Sequence, residues 1–170
     1  MDKKILLVLL AFSLIFLTYG CSQSKESEYH EFFPEEKRFH IGFKTEESMI
    51  GAQVFFDEGG LRHLLHEDTA SPLFGMEEIF SEKEVVSRFH EFEFKNLPHK
   101  GGSSIIYNAM QAIRKTNPVE AKIQDNKKIH RYEGEEMNFE FVFDKKKSTP
   151  LEIKGTFSGK EFNINFTASA

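Results

Sequence analysis

Tryptophan is absent from this chain of 170 residues, cysteine occurs once and proline five times. One cysteine excludes an internal disulfide, so outside the cytoplasm the fold would rest on packing alone. Basic charge is also short. The formal charge is −5, and −6 once residues 1–20, with Asp2, Lys3 and Lys4, are set aside. Such a surface repels phosphate backbones, and no Lys/Arg stripe with interleaved aromatics counters it, so nucleic acid is not an expected partner. No apolar run is long enough for a permanent span. Ile5–Leu17 holds 13 residues, roughly 20 Å as a helix against a hydrocarbon core of about 30 Å. Neither a repeat of solenoid period nor a low-complexity tract is present.

What the chain has in quantity is phenylalanine, 19 residues within a hydrophobic fraction of 39%, beside 29% charged residues. That combination gives a core of flat apolar rings and a soluble exterior, enough for a single domain. The short basic start Lys3-Lys4 and the run Ile5–Leu17 read as a signal peptide. The run ends at Tyr19-Gly20, and the lone Cys21 stands at its edge.

Gly20-Cys21-Ser22 resembles a bacterial lipoprotein processing site. The resemblance implies cleavage before Cys21 and acylation of its thiol with chains of the palmitate kind, an anchor that holds on a membrane without a spanning helix. The expected organisation is a signal peptide at 1–20, an acylated cysteine and flexible tether at 21–37, and an antiparallel β-rich domain at 38–170. Phe32 and Phe33 are expected to begin docking at the tether's end.

Within the domain most segments read as strands: "FHIGFK" from Phe39, "MIGAQVFF" from Met49 with a turn at Asp57 to Gly60, and "VVSRFHEFEFKNL" from Val85, whose broken alternation predicts a bulge or two short strands. "LRHLLH" at Leu61 to His66 reads as a helical turn packed by Leu61, Leu64 and Leu65. After Gly101-Gly102, Ile106, Ala109, Met110 and Ile113 recur at helical spacing, with Ser103 or Ser104 as the cap and Asn117-Pro118 as the stop. Strands follow at Val119 to Ile123 and Lys128 to Tyr132. "MNFEFVFD", "LEIKGTF" and "FNINFTA" then alternate strictly, with Phe139, Phe141, Ile153, Phe157, Ile164 and Phe166 on one face. A turn at Gly159-Lys160 would set Phe157 opposite Phe162 and Ile153 opposite Phe166. The expected fold is mainly β, an antiparallel barrel or sandwich in a lipocalin-like meander with one short helix.

The segment Phe92 to Ile123 and the stretch Asn138 to Phe157 resemble the YceI-like family in their order of strand, helix, proline and paired strands. The resemblance implies a lipocalin-like barrel that binds polyisoprenoid lipids in the bacterial envelope.

Catalytic patterns are lacking. There is no Gly-x-Ser-x-Gly elbow, "HEDTA" and "HEFEF" lack the second histidine of a zinc-protease motif, and Glu91 and Glu93 read as a solvated strand face. His63 and His66 stand three apart and would share a face on a helical turn, but no third ligand stands at metal-site spacing, so neither metal nor cofactor is expected. The sequence therefore predicts a non-catalytic, exported envelope lipoprotein, its partners the membrane through the anchor and an apolar acyl or isoprenoid ligand lined by Phe139, Phe141, Ile153, Phe157, Ile164 and Phe166. The alternative is a surface interaction or adhesion module with a packed core that binds another protein.

Overall fold

Alternation of apolar and polar residues along nearly every segment produces one very wide sheet. The computed structural model describes residues 29, 31–33, 38–46, 49–57, 60–81, 84–95 and 102–168. The strands are β1 (Arg38–Thr45), β2 (Met49–Asp57), β3 (Gly60–His66), β4 (Glu77–Phe80), β5 (Val85–Phe89) and β6 (Phe92–Lys95), followed by the helix α1 (Gly102–Lys115) and by β7 (Glu120–Gln124), β8 (Lys127–Glu133), β9 (Met137–Asp144), β10 (Pro150–Phe157) and β11 (Lys160–Ala168). They form an 11-stranded sheet in the order β6-β5-β4-β3-β2-β1-β11-β10-β9-β8-β7. Two antiparallel meanders are thus joined side by side through β1 and β11, and α1 lies in the chain between the two edge strands, β6 and β7.

The sheet curls but does not close. The antiparallel meander with one helix is as the sequence predicts, whereas the closed barrel implied by the YceI-like resemblance is not formed. An open sheet this wide has a trough, and side chains from the strands alone do not fill it. Helix α1 covers part, burying Ser103, Ile106, Ala109, Met110 and Ile113. Its first residue lies against β1: a Cβ on Gly102 would sit 2.4 Å from the Phe43 ring, so only glycine permits that approach.

The "LRHLLH" segment is strand β3, not a helical turn. Phe55 pairs with His63 and Phe56 with Leu61, which leaves Arg62 as an extra, bulged residue. The bulge sets Leu61 and Leu64, three apart, both on the inner face, where they are 1% and 0% exposed. A spacing of three is therefore a product of β irregularity here rather than of helical periodicity. Val85 to Lys95 is two short strands turning at His90, which has a positive φ of 53°.

The β10–β11 hairpin turns at Ser158-Gly159 (φ 49° and 82°), so Phe157 pairs with Lys160, Gly155 with Phe162 and Ile153 with Ile164. The register expected from a Gly159-Lys160 turn is displaced by two residues, a shift that keeps every apolar side chain on its face. Two successive positive φ values make the turn type I′, whose twist matches that of the flanking strands.

Candidate functional site

The inner face of the sheet is the chemically distinctive surface. One row of paired residues crosses six strands: His130, Phe141, Ile153, Ile164, Phe43 and Ile50. Of the expected lining residues, Phe139, Phe141, Ile153, Ile164 and Phe166 are all buried on this face, and Phe157 is half-buried at its margin. They form one wall.

What fills the trough opposite that wall comes from a segment the sequence reading assigns to the tether. Tyr29, Glu31 and Phe32 are helical, and the Phe33 N–H donates to the Tyr29 carbonyl at 2.9 Å. Tyr29, Phe32 and Phe33 are 1%, 3% and 0% exposed. Phe33 meets Phe56 at 4.6 Å between centroids, Phe141 at 5.7 Å and Phe166 at 5.8 Å, while Phe32 meets Phe143 at 4.2 Å and Phe141 at 5.3 Å. The folded body therefore begins before Arg38, and these three rings form a wedge between the two meanders. Phe32 and Phe33 dock as the sequence predicts, and Tyr29 before them docks as well; three rings in five residues are unusual for a solvated linker.

The wedge meets α1 at the start of β3. A Cβ built on Gly60 would lie 3.1 Å from Gln111 Nε2, 3.6 Å from Arg114 Cδ and 3.7 Å from the Tyr29 hydroxyl. Burial pushes the Tyr29 pKa far above the usual phenol range, opposed by the nearby Arg114 and reinforced by Asp57. Beside this junction a pocket of about 350 Å³ opens between β3, β4 and α1.

His63 and His66 are not brought together. In a strand, residues three apart face opposite ways. His63 stacks on Phe55 on the outer side, centroids 5.1 Å apart, and its Nε2 lies 3.7 Å from Glu77 Oε2. His66 is buried on the inner side with its Nε2 3.6 Å from Glu78 Oε2. Among the described residues no group of three or more His, Cys, Asp or Glu could hold a metal ion. Cys21 and the leader lie outside the described residues, among which no helix is long and apolar enough to cross a membrane.

The outer face is polar. A shallow depression of about 770 Å³ surrounds Gly155 there. Charges here are paired across strands: Glu140 lies 3.5 Å from Lys154 and 3.4 Å from Lys122, and Arg131 lies 3.8 Å from Glu120. This is a solvated sheet surface in which opposite charges sit on neighbouring strands.

No family model and no curated protein matches the chain. Among solved structures it is similar in outline to a LolA superfamily protein from Nitrosomonas europaea, with a TM-score of 0.45 and 8% identity over 86% of this chain and 91% of that one. A conserved protein from Thermus thermophilus gives 0.49 and 13% over 87% of each chain. The lipoprotein LppX from Mycobacterium tuberculosis gives 0.39 and 7% over 85% of this chain and 93% of its own.

Proposed function

We propose that this chain is an exported, lipid-anchored protein of the bacterial envelope that acts without catalysis, holding an acyl or isoprenoid chain against the inner face of its curled sheet. The observation that carries this reading is the wedge. The trough is too wide for its strands' own side chains, and the volume is taken by Phe32 and Phe33, which come from before the first strand. Burying a phenylalanine is worth about 1.5–3 kcal/mol and a methylene about 0.8 kcal/mol. An apolar chain of more than about eight methylenes therefore outweighs both rings and can take their place. Cys21 stands eight residues before Tyr29, so an acylated Cys21 would keep the trough within about 30 Å of the bilayer surface even with the intervening chain extended.

Extraction in mild detergent followed by native mass spectrometry tests the reading. A co-purifying apolar mass is the expected result, and a chain that stays ligand-free when offered fatty acids and isoprenols overturns it. Cys21→Ala is expected to move the protein from the membrane to the aqueous fraction; unchanged retention removes the anchor from the account.

A second reading, a protein-interaction module, has its own observation. Both edge strands expose apolar residues on the inner side: Phe92 and Phe94 of β6 at 66% and 45%, and Ile123 of β7 with neighbouring Val119 at 59% each. Apolar sheet edges pair readily with other chains. A ligand-free core together with a stable stoichiometric protein complex in the same spectrum would favour it.

A further inference from the structure

The pocket of about 350 Å³ between α1 and β3–β4 differs in chemistry from the rest of the inner surface. Arg62 reaches it from the bulge in β3, and Arg114 and Lys115 from the last turn of α1. Ser81, Tyr107 and Gln111 add hydroxyl and amide groups, and no carboxylate lines it among the described residues. Its floor is apolar, because Leu61 and Phe80, each 1% exposed, belong to the core. Tyr107 stacks on Phe80 at 5.0 Å with the rings 11° from parallel.

Basic residues in the last turn of a helix suit its dipole, and Arg114 and Lys115 alone would need no other explanation. Arg62 changes the picture. It arrives from a different element at a position that exists only because of the bulge, and it is held there by two bonds, Nε donating to Asp57 Oδ2 and Nη1 donating to the Phe80 carbonyl at 3.3 Å. Three cations from two elements line one cavity, with Asp57 bonded to Arg62 and the negative helix end offsetting part of their charge. In a chain of net charge −5 they form a local exception. At about 350 Å³ the cavity is at the small end of ligand sites, the size for a head group and not for a long chain.

We propose that this pocket binds an oxyanion, a carboxylate or phosphate, as the polar head of the chain held in the trough; it rests on the trough reading above. Tyr29, Gln111 and Arg114 meet at Gly60, so the base of the wedge abuts the pocket. A chain that replaces Phe32 and Phe33 thereby has its head between Arg62 and Lys115 while its apolar tail passes Leu61 and Phe80 into the core. Charge-assisted hydrogen bonds fix the head, and apolar burial supplies the affinity of the tail.

Fluorescence titration of the detergent-solubilised full chain with cis-parinaric acid and with its methyl ester separates head from tail. The acid is expected to bind about tenfold more tightly than the ester. Lys115→Glu, an exposed position, and Arg62→Gln should each reduce that preference to about threefold or less without changing the ester's affinity, with circular dichroism melts confirming that the variants fold. Inorganic phosphate should compete with the acid and not with the ester. Equal binding of acid and ester by the native chain, or a preference that survives in Lys115→Glu, overturns the anion pocket and leaves the trough intact. If the ester does not bind at all, the trough reading fails. Calorimetry with inorganic phosphate then decides the pocket separately: binding that Lys115→Glu abolishes keeps it as a free-anion site, and no binding removes it.

Discussion

A methyl group added at Gly155 would fall 2.1 Å from the Asn138 carbonyl oxygen and 2.6 Å from Phe139 Cα. Both obstacles are backbone in the middle of the sheet, so no side-chain rotation relieves the clash. Gly155→Ala is expected to cost about 3 kcal/mol and lower the melting temperature by roughly 6–12 °C, read in a thermal melt. Tyr29 gives a second residue-scale expectation. Its phenol ionises far less readily in the folded chain than in the unfolded one, where the pKa is about 10. Above about pH 10 the unfolded state loses the proton first, so the contribution is complete below that pH and stability falls as pH rises, by about 1.4 kcal/mol per unit. Tyr29→Phe should flatten this alkaline slope in denaturant titrations between about pH 9 and 11; an unchanged slope would show that the hydroxyl titrates freely.

At the scale of elements, turns and bulges set the register that periodicity leaves open. Ser158 holds a φ of 49°, a conformation that asparagine adopts more readily. Ser158→Asn is expected to stabilise the β10–β11 hairpin by about 0.5 kcal/mol, seen as a small rise in the denaturation midpoint. At the preceding turn, from β9 to β10, Asp144 Oδ1 accepts the N–H groups of Lys146 and Lys147 at 2.8 and 2.9 Å, bonds that hold its carboxyl below the usual range. The β3 bulge acts on packing as well as register, since it puts Leu61 and Leu64 into the core while Arg62 lines the pocket.

At the scale of the molecule, the proposed function makes the wedge and a bound chain competitors for one volume. Phe32→Ala should cost about 3–5 kcal/mol of stability in the ligand-free chain. It should also raise the affinity for methyl parinarate, because less of the trough must be vacated, and saturating ester should narrow the stability gap to the native chain. Lower stability with unchanged affinity would mark Phe32 as core alone. A vacant apolar cavity would be costly, and the wedge fills the trough.

The sequence alone determined the alternating strands β7 to β11, the helix with its Asn117-Pro118 stop, and the inward set Phe139, Phe141, Ile153, Ile164 and Phe166, because side-chain period is a local property of the chain. The β3 strand was hidden because a bulge mimics helical spacing. The tertiary structure alone decided that the sheet stays open, that Tyr29 joins Phe32 and Phe33 in the core, and that Arg62 joins Arg114 and Lys115 across more than fifty residues of sequence. Each of these depends on which distant segments share a volume, and periodicity along a chain carries no information about the space between its strands.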